Sequence, residues 1–229
     1  MATLSTWAAQ LHDQRSRKVV FLAHCLLNEN TRYLGGARRP GGVVEIVQPC
    51  LERGIGIIQL PCPEEHAWGG VMKRWLLGMY GADASVRFRL RSVLLPVMLF
   101  YTRRVYRRLA RHVANQVQDY LASGFDVLGI IGIDGSPSCG VQVTMNVEQA
   151  FVQVSRLRQE AATAGDINAI VRGNAIGGRG LFVAILQEEL ARRGLDVPFA
   201  AHDLLAELED RKVVSAVEKL VSTGHDGAA

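Results

Sequence analysis

The chain has 229 residues and a formal charge of +4, and its 48% hydrophobic against 21% charged content is enough to bury a sizeable core. That balance excludes the low-hydrophobicity regime of disordered chains, and no polar linker divides the sequence, so one α/β domain over 1–229 is expected. The longest apolar stretch, 93–101, includes Pro96 and is about half the ~20 residues a membrane-spanning helix needs, so no transmembrane segment is expected.

Residues 1–18 form a polar amphipathic start without the basic, apolar and small-residue order of a secretory signal, which points to a cytoplasmic chain with reduced thiols. The run 18–24 is β-branched and continuously apolar, as suits a strand buried on both faces of a parallel sheet. Residues 43–53 read as a helix whose apolar stretch carries Cys50, a structural thiol. A second strand follows at 54–60, stopped by Pro61. The segment 69–104 fits the alternation least and is expected as an irregular excursion that covers a site or presents charge. It belongs to a basic insert at about 70–112, where eight arginines fall between Arg87 and Arg111 and no acid lies within 87–112. Such a concentration attracts phosphates or anionic lipid, while its bland reading is a solvated helix face whose arginine stems cover apolar neighbours.

A helix is predicted over 106–123, ending at Gly124, then a third strand over 125–133 and a helix over 147–164 ending at Gly165. The Gly-rich stretch 173–180 opens a further helix, 180–193, closed by Gly194 as a left-handed cap. That stretch offers backbone amides to an anion, or serves as a plain connection or a loop closing over the site. A weaker strand candidate is 197–201, and the tail 222–229 is expected to fray. Strands alternating with helices imply right-handed crossovers and a three-layer, Rossmann-like sandwich with a mainly parallel central sheet.

Cys25 follows the first strand directly, Cys62 the second by two residues and Cys139 the third by six. In an open α/β sheet, such strand-to-helix loops share one edge, so three cysteines distant in sequence become neighbours at the ligand-binding crevice. Pro61, Pro63, Pro137 and Gly140 surround them with turn residues rather than core. Structural zinc normally takes four ligands, which would require His66 or His202 to complete the set. A cubane held by three thiolates leaves one iron open as a Lewis acid. Glu64, two residues past Cys62, and Asp134, five before Cys139, are candidates for the general base in such a site. Either also suits a helix cap or a loop-amide acceptor, Ser136 suits a turn, and His24 suits burial on its strand.

Three motifs carry a resemblance. His24-Cys25-Leu26-Leu27-Asn28 through Arg32-Tyr33 and Gly35 resembles the opening motif of the 2-thiouracil desulfurase family, Cys62-Pro63-Glu64 with Gly69-Gly70 its second, and Ser136-Pro137-Ser138-Cys139-Gly140 its third. The resemblance covers about 18–141 and, more loosely, 180–203. It implies a [4Fe-4S] cluster on Cys25, Cys62 and Cys139, whose fourth iron takes the sulfur of a thiolated nucleobase, with Glu64 and Ser136 assisting. Arg32, Arg74 and Ser138 are the substrate-binding candidates. Thr31 stands where many relatives carry another cysteine, and the Arg-rich insert is foreign to compact members. Three functions fit these features: a desulfidase of a thiolated pyrimidine or related thioamide; a desulfidase of thiolated RNA bound through Arg87 to Arg111; and a non-enzymatic zinc- or cluster-binding module lying on a membrane or partner.

Overall fold

The structure is a computed structural model, and it describes residues 13–80, 90–157 and 160–223. Strand β1 (Lys18–Leu22) leads into a one-turn helix α1 (His24–Leu27), a 3-10 turn (Glu29–Thr31) and α2 (Val44–Glu52). Strand β2 (Gly56–Gln59) is followed by α3 (Pro63–Ala67), α4 (Arg74–Tyr80) and the long α5 (Arg91–Ala122). The chain continues through β3 (Asp126–Asp134), β4 (Val143–Met145), α6 (Val147–Ser155), α7 (Ala164–Gly173) and β5 (Ala175–Gly177). It closes with α8 (Leu181–Arg192), β6 (Phe199–Asp203), α9 (Leu204–Leu208) and α10 (Ala216–Thr223).

The central sheet has the order β2-β1-β3-β6, and all three of its pairings are parallel. Apolar β-branched runs make strands that can be buried on both faces, and Phe21, Leu22, Ile130 and Ile131 are fully inaccessible. Phe21 meets Tyr120 of α5 edge-on on one face, and Tyr106 of α5 meets Phe182 of α8 in the same way. On the other face α10 packs against β3, β6 and α2. The result is the expected three-layer, Rossmann-like sandwich, with one buried cluster running from Val19 to Leu220.

Several element boundaries differ from the sequence reading. Residues 74–80 and 91–104 are helical rather than an irregular excursion, the latter joined without a break to the expected helix, which so begins at Arg91 and ends at Ala122. Residues 93–101 are apolar all round, and that lack of periodicity hides their helix from a pattern search. The expected helix 147–164 stops at Ser155, and Gly165, expected to end it, lies in the first turn of a separate helix, Ala164–Gly173, begun by a capping box in which Thr163 and Asp166 satisfy each other's amides. A two-stranded antiparallel ribbon pairs β4 with β5, so the Gly-rich stretch 173–180 contains a strand. Gly194, at φ +66°, caps α8 as expected. The fraying tail falls mostly outside the described residues, as do most of the amphipathic start and Arg87 and Arg89 of the insert. Among the described residues, no helix is long and apolar enough to cross a membrane.

Candidate functional site

Strands β1, β2 and β3 end side by side. The ladder runs one residue past β1, where the Leu60 amide donates to the Leu22 carbonyl at 2.8 Å and the Ala23 amide to the Ile131 carbonyl at 2.9 Å. Cys25 then sits in α1, Cys62 is the N-cap of α3, and Cys139 lies on the loop between β3 and β4. All three line one cavity of about 200 Å³, and all are free thiols. Cys50 is fully buried in α2 as part of the apolar core.

Burial pushes Cys25 up to about 11 and Cys62 up to about 12, and it raises Cys139 well above the ordinary thiol value. The nearness of Cys25 and Cys62 raises Cys139 further, and Cys25 in turn raises Cys62. Three neighbouring, desolvated thiols, each with a single weak donor beside it, form a donor set that a positively charged inorganic centre would compensate. Among the described residues, no three His, Cys, Asp or Glu side chains gather around the position of a single ion. A cubane asks for a different spacing, with each thiolate at its own iron, and three cysteines around one cavity are compatible with that demand. The two proposed fourth zinc ligands do not reach the cavity. His66 is exposed, and His202 is buried against Glu207 at 2.9 Å.

The loop bearing Cys139 is clamped from three sides. Ser136 Oγ accepts from the amides of Ser138 at 3.3 Å and Cys139 at 3.1 Å, so this side chain shapes the turn. The amides of Leu181, Phe182 and Val183, at the start of α8, donate to the carbonyls of Pro137 and Ser138 at 2.9 to 3.1 Å. The amides that might have cradled an anion are thus committed to the loop. Gly132 and Gly180 permit the close approach, since a Cβ on them would lie 2.2 Å from the Cys139 carbonyl and 2.5 Å from the Ser138 backbone.

Glu64 faces the thiols from α3. Its Oε1 accepts from Ser138 Oγ at 2.7 Å, and its Oε2 lies 3.6 Å from Lys73 Nζ. Ser138, 2% exposed, also lies 3.7 Å from Cys139 Sγ. Lys73 donates to the Thr31 carbonyl at 2.9 Å, linking the first and second cysteine loops. Arg74, the expected substrate contact, points to solvent from the start of α4 and does not line the cavity; Lys73 stands there instead. Lys73 was missed because it sits in a left-handed turn (φ +49°) with no periodic pattern, three residues after the Gly69-Gly70 pair that was its only signal.

Asp134 does not line the cavity. Its Oδ1 accepts from the amides of Val141, Gln142 and Val143 at 2.8 to 3.1 Å, which folds the segment after Cys139 back onto β3. Its role is that of a loop anchor, not a base. Arg32 does line the cavity, but its guanidinium is tied into a buried network, 3.2 Å from both Glu29 and Glu207 and 3.2 Å from the Gly36 carbonyl. The Glu29 contact is an ion pair without hydrogen-bond alignment, and the buried Nε has no partner. Tyr106, 1% exposed on α5, was missed altogether. Its buried hydroxyl lacks a well-aligned partner, and Glu64, Cys62 and Cys139 are its electrostatic neighbours. Ser138 lies beside it but is engaged with Glu64.

The remaining walls are apolar, with Val71, Met72, Leu77, Met145, Phe151 and Ile170 prominent. Tyr33, on the rim, donates to Asn168 Oδ1 at 2.8 Å and so fastens the first cysteine loop to α7.

No family model matches the chain, and no solved structure matches it. The chain is similar to an uncharacterized protein of Methanocaldococcus jannaschii, MJ0003, at 25% identity over 149 residues, spanning 62% of this chain and 81% of that one.

Proposed function

We propose that the chain is a [4Fe-4S]-dependent desulfidase that removes sulfur from a thiolated pyrimidine or related small thioamide. The observation that carries the reading is the shared cavity, in which three free cysteines meet the Glu64 carboxylate. Cys25, Cys62 and Cys139 would hold the cluster, which when bound supplies an iron without a protein ligand as a Lewis acid for the substrate sulfur.

The exchange consumes water, forms C=O, breaks C=S and releases hydrogen sulfide, so it needs a base for the water and donors to orient the ring. Glu64 takes the water proton in this account. Ser138 and Lys73, on its two oxygens, aim the carboxylate. The apolar walls exclude bulk water and suit a planar, uncharged ring. None of the α5 arginines lines the cavity, so thiolated RNA has only the outer charge of that helix in its favour.

Protein reconstituted with iron and sulfide under anaerobic conditions should release sulfide from 2- or 4-thiouracil, and Glu64→Gln should slow turnover by roughly 10²–10⁴-fold while retaining iron. Iron-loaded protein that releases no more sulfide than a Cys62→Ser control would end the proposal.

A further inference from the structure

The first part of α5 stands clear of the core. From 90 to 101 no residue whose exposure is described is buried, and Leu90, Val93, Val97 and Phe100 are 51 to 72% exposed. The first buried position along the helix is Thr102. At 100° per residue, Leu90, Val93, Val97 and Phe100 fall on one stripe, and Arg104, Arg107, Arg108 and Arg111, all exposed, continue that stripe on the body of the helix. One outward face is therefore apolar for three turns and cationic for the next two. No Asp or Glu occurs from 84 to 118, and these arginines have no carboxylate partner among the described residues. Exposed Trp75 of α4 meets Tyr101 at 6.0 Å between ring centroids, where the apolar part gives way to the arginines.

The geometry points to a docking surface for an anionic phospholipid bilayer, with the apolar stripe of residues 93–101 laid into the surface of one leaflet and the arginine stripe on the headgroup phosphates. Among the described residues no helix is long and apolar enough to cross a membrane, so the contact is an interfacial one. Aromatic rings at the apolar-to-basic junction are what an interfacial helix places at headgroup depth. Charge complementarity selects the lipid over other occupants. A second copy would bring another acid-free face to these arginines, and RNA would leave the apolar turns uncovered. This surface is separate from the cysteine cavity and does not depend on the desulfidase reading.

The test is flotation of the full chain with phosphatidylcholine vesicles, with and without phosphatidylglycerol. Expected are binding only when phosphatidylglycerol is present, weakening with salt, a loss of at least about a hundredfold in Arg104→Glu/Arg107→Glu/Arg108→Glu, and a comparable loss in Val97→Asp/Phe100→Asp. All changed side chains are exposed, so unchanged helicity and melting temperature verify the fold of each variant. Any of three results would overturn the inference: equal flotation of wild type and variants, a dimer that Val97→Asp/Phe100→Asp dissociates with no vesicle binding, or tight RNA binding indifferent to that variant with no vesicle binding.

Discussion

Glu64 and Asp134 show how two carboxylates close to cysteine motifs take different work. Glu64 looks into the cavity with one oxygen on Ser138 and the other toward Lys73, whereas Asp134 turns away and gathers three amides. Asp134→Asn should therefore lower stability by about 1–3 kcal/mol in urea unfolding while leaving turnover per bound iron close to wild type, the reverse of Glu64→Gln. A large loss of turnover at full iron content in Asp134→Asn would contradict the division. Tyr106 gives a second case, because a buried hydroxyl without a well-aligned partner is a standing cost. In the iron-free chain, Tyr106→Phe should raise stability by roughly 1 kcal/mol; a clear loss would show that the hydroxyl is satisfied. Glu64, Ser136 and Ser138 were legible because each lies within a short motif around a cysteine. Lys73 and Tyr106 were not, since one depends on a left-handed turn and the other looks like any polar aromatic on the buried stripe of a helix.

Among the elements, the β3–β4 loop and α8 are built as one unit. Gly132 backs onto the Cys139 carbonyl, and Gly180 onto Ser138, while the first amides of α8 hold the loop carbonyls. A methyl at Gly132 has backbone rather than a flexible side-chain tip in its way, so Gly132→Ala should cost about 1–3 kcal/mol or more and reduce iron loading. Gly173→Ala, at the end of α7 with nothing within 4 Å of the added carbon, serves as the control and should be neutral or slightly stabilising in the same thermal melts. Equal behaviour of the two variants would remove the argument for a clamped loop. The parallel strands were legible because burial on both faces demands continuous β-branched runs. The β4–β5 ribbon was not, since three-residue strands carry too few side chains to establish a period.

Across the whole molecule, the sheet edge that collects the cysteines is braced by an ion network of buried Glu29, Arg32, His202 and Glu207 with half-buried Arg39, joining the first loop to the end of β6. Burial works against ionised Glu207, but the His202 hydrogen bond and the Arg32 and Arg39 guanidiniums outweigh it and bring it down from 4.5 to about 2. A depressed acid stabilises the fold above its unfolded pKa and loses that contribution as pH falls, here between about 4.5 and about 2. On the order of 3 kcal/mol should disappear over that window, and Glu207→Gln should flatten the slope in denaturant titrations; an unchanged slope would mean that other acids carry it. The convergence of the cysteines was legible from topology alone, because parallel strands deliver their following loops to one edge. The bracing network was not, for it pairs residues separated by as many as 175 positions. Whether Cys25, Cys62 and Cys139 share one cluster is decided by anaerobic iron and acid-labile sulfide analysis of reconstituted wild type beside Cys25→Ser, Cys62→Ser, Cys139→Ser and Cys50→Ala. About four irons and four sulfides per chain should be found in wild type and Cys50→Ala and sharply less in the other three; equal iron in all five proteins, or none in wild type, would contradict a shared cluster.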